Sequence, residues 1–184
     1  MKKVFAGLFI AASVMSFGQT LDGSVKYGND IFSFYYTGGN LGWNESNSWI
    51  QTNLTGSWLA SVTNSGEDTA VSNLLTSAGG YTAFLGGEQV NQTTGGPNDD
   101  WSWVHGETWL YTNWNGGEPN DYNGPYSEQY LETYSNGLWN DIDESGDGDG
   151  FVAEKAVPGP SPVLAFAAGA VCLFRRRRRS SKSA

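Results

Sequence analysis

Cysteine is almost missing from this 184-residue chain: the only one, Cys172, stands near the C-terminus. That excludes a disulfide framework and thiol chemistry from everything before it. Histidine is equally scarce. With His105 alone, a histidine-rich zinc site is excluded, and a triad built on histidine has a single candidate. Between Asp22 and Lys155 basic residues nearly vanish as well, because Lys26 and Lys155 are the only two against 19 Asp and Glu, which leaves 17 net negative charges. Such a segment repels nucleic acid and anionic membrane and favours cations. There is no internal repeat of solenoid length, no heptad pattern and no Gln-rich or basic tract before the C-terminus.

What is present at the two ends reads as processing signal. Lys2 and Lys3 precede the apolar run 4–14, and Ser16-Phe17-Gly18 offers small residues at a cleavage position; residues 1–18 are predicted to be a secretory signal peptide. At the other end, residues 156–162 are rich in proline, residues 163–174 form a short apolar anchor segment, and residues 175–184 begin with five arginines. As a helix the apolar run covers about 18 Å, short of a ~30 Å hydrocarbon core without help from its flanks. The arginines would stay in the cytoplasm. This layout, with Val157, Pro158, Gly159 and Pro160 opening it, resembles the PEP-CTERM sorting signal of bacteria, although Gly159 stands where the common form has glutamate. The resemblance implies an exosortase-like processing enzyme as partner, contact with membrane only through the tail, and a place at the cell surface or in the extracellular matrix of a bacterium.

The remainder suits one compact domain. Residues 19–29 are predicted to be a lead-in and residues 30–155 the domain proper. The run 31–36, "IFSFYY", reads as a strand. Residues 43–54 read as a helix with Asn44 as its cap, and "SWLASV" as a short strand. A second helix is capped by Asn64 or Ser65, carries Glu67 and Asp68 at its positive end, repeats Ala70, Val71, Leu74 and Leu75 at helical spacing, and ends at Gly79-Gly80. After "YTAFLGG" at 81–87, strand signals return at 129–134, at 137–139 and at 150–154. Between them, residues 88–127 read as a long loop pinned by aromatics and broken by a hairpin at "WSWVHGETW". Trp101, Trp103, Trp109 and Trp114 fit core packing better than sugar stacking, and His105 falls in a turn, where a structural role outweighs a pH switch. The outline is a small α+β domain.

Oxygen ligands cluster in the loop. Glu118 and Asn120 flank Pro119, which can hold the bond before it in cis, and Glu128, Asn140 and Asp141 supply further side chains, as a hard cation such as calcium requires. Three carboxylates gathered without metal repel one another. The acidic run 141–150 imitates an EF-hand at Asp141, Asp143, Ser145 and Gly146, but its twelfth position is Val152, so that reading fails.

The "EPN" at 118–120, Glu128 and "WND" at 139–141, with "GWNESNSWIQTNLTGSWLASV" and "YTAFLGG" upstream and "FVAE" at 151–154, closely resemble the C-type lectin domain over residues 30–155. The resemblance implies a C-type lectin-like fold of two helices, small antiparallel sheets and a long calcium-binding loop. It implies that Glu118, Asn120, Glu128, Asn140 and Asp141 ligate Ca2+, and that the same five hydrogen-bond vicinal sugar hydroxyls. EPN is the form associated with mannose-, glucose- or fucose-type ligands. Asp121 matches one ligand of the family's auxiliary calcium, while Gln129 stands where that site expects an acid. Tyr130 and Ala153 replace two of the family's cysteines. The implied function is a secreted or surface-displayed, calcium-dependent module that binds mannose-type glycans or exopolysaccharide, with no enzymatic activity. Two alternatives stay open: a calcium-stabilised adhesion or matrix scaffold without sugar binding, and a glycoside hydrolase using two of the acids.

Overall fold

A computed structural model describes residues 19–157 except 92, 94 and 147. The predicted signal peptide, Pro158, Gly159 and Pro160 of the sorting motif, the anchor segment and the basic tail lie outside the described residues. Among the described residues no helix is long and apolar enough to cross a membrane.

The chain runs β1 (Thr20–Tyr27), β2 (Asp30–Tyr36), α1 (Trp43–Asn53), β3 (Trp58–Leu59), α2 (Ser65–Ala78), β4 (Ala83–Gln89), β5 (Trp101–Trp103), β6 (Tyr130–Thr133), β7 (Trp139–Ile142) and β8 (Gly150–Ala156). Neighbours in the sheet follow the order β1-β2-β8-β4-β6-β7, with β3 on β8 and β5 on β4. The last strand therefore enters the middle, antiparallel to β2 and parallel to β4. Two helices and a mixed sheet make the α+β architecture expected of the sequence.

Three local expectations need correction. Residues 19–29 are not merely a lead-in, since β1 pairs with β2 along its length around a bulge at Asp22. Helix α1 is capped by Gly42 rather than Asn44: the Gly42 N–H donates to Glu45 Oε2 at 3.2 Å, half of a capping box. A Cβ on Gly42 would collide with the Glu144 carbonyl, which makes glycine necessary there. Asn44 instead donates to the Tyr130 hydroxyl at 3.1 Å. Third, "WSWVHGETW" is no hairpin. Its first strand, β5, pairs back onto β4, Trp103 opposite Gly87, because Trp101 and Trp103 must both enter the core and Gly87 leaves room for Trp109 and Leu131.

Helix α2 begins as the sequence predicts: the Asn64 side chain accepts from the N–H of Gly66 and Glu67. It buries Val71, Leu74 and Leu75 against Phe32, Phe34 and Trp139. Helix α1 buries Trp43 and Ile50 against Phe84, Phe151 and Ala153. Where the family resemblance expects cysteine, Tyr130 stacks on Trp43 with ring centroids 4.6 Å apart, and Ala153 is buried opposite Leu59. Aromatic burial thus takes the place of covalent staples.

The long segment between β5 and β6 is held by indoles. Trp103 and Trp109 lie 4.5 Å apart, Trp101 and Trp114 5.0 Å, and Trp114 bridges to Trp139. His105 sits in a turn, stacked on Trp58 at 3.5 Å and paired with Glu107 at 2.7 Å.

Candidate functional site

Two chain segments meet at the loop end of the sheet. The first is a stretch that runs beside Trp139: the Trp139 N–H donates to Asn113 O at 2.9 Å, and the Asn115 N–H to Trp139 O at 2.8 Å. Asn115 then accepts from the Glu118 N–H at 3.0 Å, closing a turn into the Glu118-Pro119 peptide, which is cis. The second is β7, which carries Asn140 and Asp141 directly after Trp139. Glu128 stands two residues before β6, the strand that pairs with β7, so the five predicted ligands lie on one turn, on β7 and on the segment leading into its neighbour.

The carboxylates shape the turn. Asp141, fully buried, accepts from the Asn120 N–H with both oxygens at 2.9 Å and from the Asp121 N–H at 2.9 Å. Glu128 accepts from the Tyr122 N–H at 2.8 Å. The successive N–H groups of Asn120, Asp121 and Tyr122 are therefore aimed at two acids. Asp121, predicted as an auxiliary ligand, is buried in a left-handed conformation, and its carboxylate accepts from the N–H of Tyr126 and of Glu128, each at 3.2 Å. It organises the 121–128 loop.

Glu118 has no such partners. Its Oε2 is buried without a hydrogen bond, and burial followed by the nearby charge of Asp141 pushes its carboxyl above the usual range. The two acids are close enough that a protonated Glu118 would donate to Asp141; ionised, it faces a like charge with no donor between. Burial also raises Glu128, with Asp141, Asp121 and Asp143 adding to the effect and the Tyr122 N–H opposing it. Among the described residues no basic side chain pairs with these acids, and Lys155 donates to the Thr55 carbonyl instead.

These oxygens fit a hard cation in chemistry, because an orphaned buried carboxylate oxygen beside further acids and amides is what calcium satisfies. Among the described residues, however, no three His, Cys, Asp or Glu side chains converge closely enough to cage a metal unaided. Any shell must draw on Asn120 and Asn140 as well. The EF-hand imitation is absent in structure too: Asp143 turns back on the N–H and hydroxyl of Ser145.

Sequence reasoning gave Asp68 only a role at the positive end of its helix and did not single out Asn113 or Tyr122. Asp68 and Asn113 were hidden because a lone Asp in a helix and a lone Asn in a loop carry no pattern. Tyr122 is 82% exposed beside the turn, a feature that its position after "EPND" could have suggested.

No family model matches the chain. Over 53 residues it is 40% identical to mouse C-type lectin domain family 4 member G, a match that covers 29% of this chain and only 17% of that protein's length. Among solved structures, the cow C-type carbohydrate-recognition domain of CD23 superposes with a TM-score of 0.60 at 18% identity, covering 74% of this chain and 95% of that one. The mouse scavenger receptor C-type lectin carbohydrate-recognition domain gives 0.58 at 18%, covering 73% and 96%, and the C-type lectin CEL-I of Cucumaria echinata 0.59 at 20%, covering 71% and 93%. Residues 19–157 therefore adopt a C-type lectin-like fold, built without a cysteine in its core.

Proposed function

We propose that this domain is a secreted or surface-displayed, calcium-dependent carbohydrate-binding module, with the cation held by Glu118, Asn120, Glu128, Asn140 and Asp141. The observation that carries the reading is the buried, unpartnered Glu118 oxygen beside Asp141. A site with two repelling acids and, among the described residues, no cationic side chain paired with them is incomplete as polypeptide, and a divalent ion completes it. Bound calcium supplies open coordination positions for two neighbouring hydroxyls. The protein's own part is to orient them: Glu118 and Glu128 accept from the hydroxyls, Asn120 and Asn140 donate, and the order acid then amide across Pro119 favours mannose-, glucose- or fucose-type geometry. The structural likeness to the CD23 domain, crystallised in the presence of a GlcNAc2Man3 oligosaccharide, supports this ligand class.

Binding at one such site is expected to be near millimolar, about −4 kcal/mol, so display of many copies at the cell surface or in matrix would supply the avidity. The C-terminal signal, read as an exosortase-processed tail, suits that display. A glycan array with calcium and with EGTA tests the proposal: calcium-dependent capture of mannose-type glycans or exopolysaccharide supports it. Calcium stabilisation with a blank array would transfer the domain to the adhesion or scaffold reading. The exchange Glu118→Gln with Asn120→Asp should move preference towards galactose-type ligands, and an unchanged preference would place the sugar elsewhere.

A further inference from the structure

Asp68 lies on α2, outside the acidic loop, yet its carboxylate is among the most heavily bonded groups in the protein. Only 9% exposed, it accepts from the Trp139 indole at 3.1 Å through Oδ1 and from the Asn113 amide at 3.0 Å through Oδ2, and the Tyr111 hydroxyl adds a third bond. Burial of a carboxylate is unfavourable without such donors. Helix α2 does not need Asp68 to start, since Asn64 already caps it.

The donors are what make the arrangement informative. Tyr111 and Asn113 lead into the turn bearing Glu118 and Asn120, while Trp139 immediately precedes Asn140 and Asp141. The Asn113 amide also donates to Gly137 O at 2.8 Å, just before Trp139. Gly137 adopts φ 83°, and a Cβ there would stand 2.8 Å from Asp68 Oδ2, so the backbone has been cleared for this carboxylate. One buried side chain thus joins the two segments that carry the candidate ligands.

We propose that Asp68 is a positioning residue: by fastening Asn113 and Tyr111 to Trp139 it holds the Glu118-Asn120 turn against Asn140-Asp141. Its effect on metal affinity rests on the calcium reading above, but the clamp itself does not. Groups that orient ligands from behind commonly change metal affinity roughly ten- to hundredfold when removed.

Asp68→Asn retains the shape but replaces one of the two accepting oxygens with an NH2 group, which cannot accept from the donors on that side. In calcium-free protein, hydrogen exchange should quicken together in residues 113–122 and 138–142 while β1 and β2 stay protected, and titration calorimetry should show calcium binding weakened at least tenfold. Asn64→Ala provides the comparison, loosening the start of α2 with calcium affinity unchanged. Asn113→Ser, which removes the second partner from the loop side, should reproduce the paired loosening if Asp68→Asn fails to fold. Uniform exchange across the domain, or an equal loss of calcium affinity in Asn64→Ala, would overturn the proposal. A wild-type protein indifferent to calcium would overturn the metal reading alone, with the paired exchange still deciding the clamp.

Discussion

The Glu118 carboxyl faces the Asp141 carboxylate across the loop, within reach of a hydrogen bond that only a proton on Glu118 could supply. Asp141 is already committed to the N–H groups of Asn120 and Asp121, so the conflict falls on Glu118. The acids that define the site also make the metal-free loop the place where charge is least balanced.

Calcium should therefore stabilise the domain, by about 2.7 kcal/mol when free ion exceeds its Kd a hundredfold. In Glu118→Gln the new amide can donate to Asp141, so the metal-free variant should melt higher than wild type in EGTA while losing most of the calcium response. Scanning calorimetry with and without EGTA measures both quantities. A variant that melts lower in EGTA yet responds to calcium as wild type does would remove Glu118 from the site.

The same repulsion sets a pH dependence for binding. Glu118 and Glu128 hold their protons at higher pH than ordinary glutamates, owing to burial first and to their acidic neighbours second. Cation binding must displace those protons. Calcium affinity measured by calorimetry should thus fall several-fold between pH 7.5 and pH 5, and the fall should be shallower in Glu128→Gln. A flat profile would mean that neither acid ligates the ion.

Away from the loop, Glu154 offers a separate test. It is buried on β8, accepts from the Ser61 N–H at 2.9 Å and is pushed up to about 7, by burial above all, with Asp30 and Glu107 adding repulsion. The folded state then holds a proton that the unfolded chain releases near 4.5. Its contribution is fully present below that value and is lost as pH rises through about 7, a cost of up to about 3 kcal/mol. Glu154→Gln should flatten this slope and be the more stable protein at pH 8. Urea melts at pH 5 and pH 8 in EGTA would show it; parallel slopes in the two proteins would contradict the assignment.

Where the sequence was readable, a physical pattern was local. Helix α2 could be read from its Asn64 cap and its apolar repeat, β2 from a mostly β-branched and aromatic run, and the C-type lectin-like fold from EPN and WND at their spacing. Strand β1 was not legible because most of its side chains are exposed and only pairing with β2 makes it a strand. Gly42 displaced Asn44 as cap because of a contact with Glu144, a hundred residues away in sequence. The pairing of β5 with β4, and the clamp at Asp68, are likewise long-range consequences of packing, which local propensity does not encode.

Asp121 shows how such a tertiary role can be separated from ligation. Its φ of 49° suits glycine or asparagine better than alanine, while its carboxylate satisfies the N–H of Tyr126 and Glu128. Asp121→Gly should lose the two bonds and keep the backbone, whereas Asp121→Ala should lose both, costing about 2 kcal/mol or more. Glycine is therefore expected to melt above alanine and below wild type in EGTA. Because the Glu128 N–H is anchored by Asp121, calcium affinity should weaken in both variants by similar factors. If instead a second equivalent of calcium bound by wild type disappears in both, Asp121 is itself a ligand, and the auxiliary site implied by the family resemblance exists.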